Sequence, residues 1–100
     1  MATPPLGEAE ITERLAQLPG WERDGDRITK TWQLDSYMAG LAFATAIGTI
    51  AEGFDHHPDL HIGWRKVTAT FTTHDAGNKL SYKDFDVAAA IEALRYPPSE

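Results

Sequence analysis

Residues 66–74, "KVTATFTTH", alternate Val67, Ala69 and Phe71 against Thr68, Thr70 and Thr72. Successive side chains of an extended chain point to opposite faces, so this period of two predicts a strand with one face on a core and a hydroxyl face outside. Upstream, "DLHIGW" (59–64) supplies the other arm of a hairpin. The alternation recurs in "RITKTWQL" (27–34), where Ile28, Trp32 and Leu34 oppose Thr29, Thr31 and Gln33, and Lys30 is the one break in the apolar face. Its partner is the stretch around Trp21, across "RDGD" (23–26), which makes a second hairpin.

Helical spacing fills the intervals between the hairpins. In "EAEITERLAQLPGW" (8–21), Ile11, Leu15 and Leu18 form an amphipathic stripe that Pro19-Gly20 ends. In "SYMAGLAFATAIGTIAEGF" (36–54), capped by Asp35 or Ser36, the expected stripe is Tyr37, Leu41, Ala44, Ile47, Ala51 and Phe54. Gly40 and Gly48 lower its intrinsic stability, so burial must compensate, and its small residues invite close packing. "DAGNKL" (75–80) is loop, and "SYKDFDVAAAIEAL" (81–94) is a last helix with Ser81 and Asp84 as a capping-box variant and Val87, Ile91 and Leu94 on one face. The order is α-β-β-α-β-β-α, an α+β fold with an antiparallel sheet covered on one face by helices. With no composition break, the 100 residues form one domain, 1–100, with 1–7 and 97–100 as expected flexible tails.

A net charge of −6, with Lys and Arg scattered, argues against binding to a phosphate backbone. The absence of cysteine excludes disulfides and thiolate chemistry. The opening "MATPPLGEAE" has neither a basic n-region nor an apolar h-region, and no apolar run approaches the length of a membrane span, so a soluble cytoplasmic protein is expected.

Polar chemistry concentrates in "EGFDHHPDLHIGW" (52–64). Pro58 keeps His57 out of the helical region. If His57 opens one strand of the hairpin and His74 closes the other, antiparallel pairing returns both ends to one edge, so His56, His57 and His74 converge across 18 residues of sequence. Imidazole is acid or base near neutral pH, and a carboxylate can fix its tautomer. Glu52, one helical turn before His56, is expected beside that ring, and Asp84 can serve similarly.

Each residue also has a plainer reading. His56 and His57 could be a solvated polar pair in a turn, and Asp84 only a helix cap. His61 alternates to one strand face and reads as a surface residue. Strict alternation puts His74 on the threonine side, so an end distortion must bring it to the site. Trp21 and Trp32 read as core, while Trp64 is either core or a ring on which a flat ligand packs. Three imidazoles and a carboxylate can hold zinc or iron, but the only ligand-like spacing, His57 with His61, crosses a proline, so no metal site is expected.

These residues resemble the signature of the pterin-4a-carbinolamine dehydratase family. Glu52 is followed after three positions by His56-His57-Pro58, then "DLHIG", Trp64, nine positions, His74, nine positions and Asp84. "LPGW" (18–21) and "AE" (51–52) also look like the family. Departures are the polar loop "DAGNKLS" (75–81), where members often have a more compact Gly-rich loop, and Leu60, where some carry a bulky aromatic. The resemblance implies a four-stranded antiparallel sheet with three helices on one face, assembled as a homodimer or dimer of dimers. It implies a hydro-lyase that dehydrates 4a-hydroxytetrahydropterin to quinonoid dihydropterin without metal or cofactor, the pterin being the substrate, in a step linked to aromatic amino acid hydroxylation. By position, His56 and His74 resemble the acid-base pair, His57 a substrate-binding and stabilising group, and Glu52, Trp64 and Asp84 orienting or binding residues. Some relatives act instead as dimerisation cofactors or assembly factors, a non-enzymatic alternative that fold alone leaves open.

Overall fold

The structure, a computed structural model, describes residues 2–97. In chain order it contains helix α1 (Glu8–Leu15), strands β1 (Glu22–Asp24) and β2 (Arg27–Gln33), helix α2 (Tyr37–Phe54), strands β3 (Asp59–Gly63) and β4 (Lys66–Phe71), a 3-10 turn (His74–Ala76) and helix α3 (Tyr82–Glu92). The expected α+β order and the two hairpins are all present. The four strands form one antiparallel sheet in the order β1-β2-β4-β3, so β3 lies at an edge.

Register explains why β2 and β4 occupy the centre. Ile28 pairs with Phe71 and Trp32 with Val67, which places the apolar sets of both strands on one face. Ile11 of α1, Phe43, Ala44, Ile47 and Ala51 of α2, and Phe85, Val87, Ala88 and Ile91 of α3 are buried in the same core. On the opposite face, the Thr31 and Thr68 hydroxyls meet at 2.7 Å and those of Thr29 and Thr70 at 3.2 Å. Such cross-strand pairs tie the two central strands without apolar cover.

α2 buries a stripe rotated from the expected one. Phe43 is in the core, whereas Tyr37 and Phe54 are about half exposed. Gly40 lies on the buried side, where a Cβ would stand 3.6 Å from Val67 Cγ2, so this side of the helix faces β4 while Tyr37 falls outside. Among the described residues, α2 is the one helix long and apolar enough to cross a bilayer, but its Phe43–Ala51 face is in the core. In α3 the expected face holds at Val87 and Ile91 and ends before Leu94, which is exposed.

Lys30, the break in the apolar pattern, has a partly buried use. Its Nζ donates to Glu92 Oε2 at 2.8 Å and lies over the Trp32 ring, while Trp21 Nε1 donates to the same oxygen at 2.9 Å. Gly20 makes room for the lysine stem. Its backbone is left-handed (φ 88°), and a Cβ would stand 3.0 Å from Lys30 Cε. The "LPGW" stretch is thus a turn shaped around a partly buried ion pair.

The N-terminal segment departs from its expected role as a tail. Thr3 is buried, its N–H donates to the Asp75 carbonyl at 3.1 Å, and that of Leu6 donates to Leu80 at 2.9 Å. Residues 3–6 therefore strap the loop that follows β4. Of the other expected tail, residues 98–100 lie outside the described residues. Glu92→Ala should leave Trp21 Nε1 without its acceptor and Lys30 Nζ with only the Pro19 carbonyl at 3.4 Å, and lower the unfolding free energy by about 1–3 kcal/mol in urea titrations. A loss no greater than that of Glu10→Ala, at an exposed helical ion pair, would mean that the partly buried pair does not anchor α3.

Candidate active site

α2 stops one residue before the histidines. Asp55 takes a left-handed backbone (φ 53°), a conformation that Asp tolerates better than most residues, and the N–H of His56 returns to the Ala51 carbonyl at 3.1 Å. This reversal turns His56 inward. Its ring stacks on Phe71, with centroids 6.0 Å apart and 21° between planes, and its side chain retains 10% exposure. His57, extended before Pro58, points outward.

The two imidazoles have different carboxylates. His56 Nε2 bonds Asp84 Oδ1 at 2.7 Å, with Asp84 fully buried at the start of α3. His57 Nε2 bonds Glu52 Oε1 at 2.6 Å, with both side chains more than half exposed. Glu52 was expected beside His56, four residues on. Because the helix ends at Phe54 and the chain reverses at Asp55, the neighbour of Glu52 is His57 instead.

Asp84 both caps α3 and bonds a histidine. Oδ2 accepts the Ser81 N–H at 2.9 Å, which is half of the capping box of α3, and the Thr73 hydroxyl at 2.8 Å. Oδ1 faces His56. A buried carboxylate needs such donors, because an uncompensated charge in the core costs several kcal/mol.

His74 also lies apart from the expected strand end. β4 stops at Phe71, and His74 opens the 3-10 turn with an exposed side chain. Core-side alternation runs on through Thr73, which is 1% exposed, so the chain turns at His74 just after anchoring at the Asp84 carboxylate. The register, with Asp59 opposite Thr70, puts the start of β3 just after His56 and His57 and the end of β4 just before His74 at the same end of the sheet. Thr73 was missed in the sequence, although it continues the core-side series Val67, Ala69, Phe71, where a hydroxyl has to find a buried partner.

Trp64 is not brought to this edge. Trp64 and Arg65 form the turn between β3 and β4, and a five-residue strand separates them from the histidines by roughly 16 Å. A broad cleft of about 810 Å³ adjoins this tip, beside Leu34, Arg65 and Tyr96. Its described lining holds no histidine, so it is separate from the His56–Asp84 and His57–Glu52 pairs. His61, opposite Thr68 in mid-strand, is exposed and apart from the cluster. Among the described residues no three His, Asp or Glu side chains are gathered closely enough to share a metal ion.

The loop carrying His74 is held from the N-terminal side. Hydrogen bonding by the Thr3 side chain, aided by the Lys83 ammonium 3.5 Å away, keeps the Asp75 carboxyl below its ordinary range. That contribution to stability is present above the ordinary carboxyl pKa and is lost as pH falls through the lowered folded value. An NMR titration should give Asp75 a midpoint below 3.8, and Thr3→Val should move it upward. A midpoint unaffected by Thr3→Val would mean that the strap does not reach this carboxylate.

Comparison with known proteins gives this geometry relatives. A family model described as Pterin 4 alpha carbinolamine dehydratase matches residues 4–94. A protein of Roseiflexus sp. (strain RS-1), provisionally named pterin-4-alpha-carbinolamine dehydratase, is 51% identical over 89 residues, covering 89% of this chain and 95% of its own. One of Chloroflexus aurantiacus with the same provisional name is 45% identical over 91 residues, covering 91% and 97%. Among solved structures, a Brucella melitensis protein described as a transcriptional coactivator/pterin dehydratase matches with a TM-score of 0.83 at 27% identity, over 90% of this chain and 97% of its own. A pterin dehydratase-like protein described as a RuBisCO assembly factor in the alpha-carboxysome matches with a TM-score of 0.59 at 25% identity, over 76% and 87%.

Proposed function

Because the chain belongs to the pterin-4a-carbinolamine dehydratase family, we propose that it removes water from a 4a-hydroxytetrahydropterin, yielding the quinonoid dihydropterin. The observation that carries the reading is a buried His56–Asp84 pair, with His57 next in the chain and exposed, and with the exposed His74 following Thr73, whose hydroxyl bonds the same Asp84. The reaction needs one proton taken from N5 and one given to the C4a hydroxyl. The N5–H electrons form the C4a=N5 double bond, the C4a–O bond breaks, and water leaves. Gain and loss of protons balance, so the residues can complete the reaction with no redox partner or cofactor. His56 and His74 form the acid-base pair, His57 binds and stabilises the substrate, and Glu52 and Asp84 orient the rings. The substrate is the carbinolamine left by pterin-dependent aromatic hydroxylation, so the enzyme returns that cofactor toward reuse.

The same reading includes a homo-oligomer. β3 is an uncovered edge of the sheet, and Leu60 and Ile62 on it, with Met38 on α2, are exposed apolar residues. A free edge of this kind favours pairing with a second copy. Light scattering should give an even-numbered oligomer that Ile62→Lys converts to monomer. A monomeric wild type would overturn this part of the reading.

The second reading, a non-enzymatic partner, is supported by the descriptions of the two structural relatives as a coactivator and an assembly factor. Stopped-flow dehydration of chemically generated 4a-hydroxytetrahydrobiopterin separates the two. Wild-type protein should accelerate quinonoid formation, and His56→Ala or His74→Ala should reduce the rate by about a hundredfold or more. An uncatalysed wild-type rate would leave the partner role in its place.

A further inference from the structure

Resting on the dehydratase reading, we infer that Thr73 and Ser81 are positioning residues whose buried hydroxyl chain fixes the tautomer of His56, so that Nδ1 is the atom that exchanges a proton with the substrate.

The argument is a count of hydrogens. Thr73 has one hydroxyl hydrogen, and it goes to Asp84 Oδ2 at 2.8 Å. The Thr73 and Ser81 oxygens are 2.6 Å apart, so the hydrogen between them must come from Ser81. The Ser81 oxygen in turn accepts the backbone N–H of Lys83 at 3.2 Å. Every step of the chain therefore points one way, from Ser81 to Thr73 to Asp84.

Its end point sets the imidazole. Oδ2 holds two donors, the Thr73 hydroxyl and the Ser81 N–H, which leaves Oδ1 for His56 Nε2 at 2.7 Å. A carboxylate only accepts, so Nε2 is the protonated nitrogen. In the neutral ring Nδ1 then carries a lone pair. Among the described residues Nδ1 makes no hydrogen bond, yet no buried side-chain nitrogen or oxygen lacks a partner. It follows that Nδ1 is the part of this otherwise buried ring that opens to the outside.

Burial makes the arrangement rigid. Ser81 and Asp84 are 0% exposed and Thr73 is 1% exposed, so no solvent is at hand to take over a bond if a hydroxyl rotates. Reversing any link would leave a buried donor or acceptor unsatisfied. The His57–Glu52 pair offers a contrast. It has the same type of contact at 2.6 Å, but water reaches both groups, so its geometry is replaceable. One histidine is thus held in a single tautomer while its neighbour is free to adjust to the ligand.

The test has a spectroscopic arm and a kinetic arm. A long-range proton–nitrogen correlation spectrum of labelled wild type, in mildly alkaline buffer, should show His56 as the Nε2–H tautomer, and Thr73→Val should shift it toward a mixture. In stopped-flow assays Thr73→Val should lower kcat about tenfold or more with KM within about twofold, and Thr73→Ser, which keeps the hydroxyl, should restore kcat. Should Thr73→Val fail to fold, Ser81→Ala is read in the same two assays with the same expectation. A wild-type His56 protonated on Nδ1, or averaged between tautomers, overturns the inference by itself. So does a folded hydroxyl-deleting variant that leaves both tautomer and kcat unchanged. Absence of dehydratase activity in the wild type would sink the functional reading alone, because the tautomer spectrum needs no substrate.

Discussion

The Asp84 carboxylate joins three parts of the chain that are remote in sequence. Its Oδ2 caps the helix that it begins, through Ser81, and holds the end of the β4 segment, through Thr73, while Oδ1 holds the histidine that follows α2. The group is fully buried, so each of these contacts is required for its burial to be tolerable. Removing any one exposes the others to a rearrangement that the core cannot absorb with water. The junction of α2, β4 and α3 is therefore organised around one carboxylate, and the candidate active site is the face of that junction turned outward.

The core serves this junction by making its frame stiff. β2 and β4 lie side by side in the sheet with Ile28 against Phe71, and Phe71 is the surface on which His56 stacks. At the far side of the core, Glu92 anchors α3 to Trp21 and Lys30. One helix thus carries a carboxylate at each end, one directed to the site and one to the sheet. The apolar stripe between them, Val87, Ala88 and Ile91, keeps the spacing fixed.

Shared fold and shared site are separate matters. Structural relatives of this chain include proteins described by a coactivator role and an assembly role. The histidines adjoin the start of β3, the same strand that forms a free edge of the sheet, so the fold by itself does not choose between protein contacts and proton transfer.

Much of the fold is legible in the sequence because it rests on local periodicity. The alternation through residues 28–34 and 67–71, the turns at 25 and 64, and the cap at Ser81 need only a strand or helix and an apolar face to be read. The site is legible in part: His56, His57, His74 and Asp84 are polar residues at element ends, although alternation alone would put His74 on the threonine side. What the tertiary structure decided lies wherever a backbone reversal or a buried hydrogen intervenes. The left-handed turn at Asp55 gives Glu52 to His57 and leaves His56 for Asp84. Thr73 carries its meaning only once Asp84 is seen to need a donor, and residues 3–6 become a strap only because the 75–80 loop offers carbonyls beside them. Periodicity records which face a side chain takes, whereas the partner of a buried polar atom is set by what the folded chain brings within 3 Å of it.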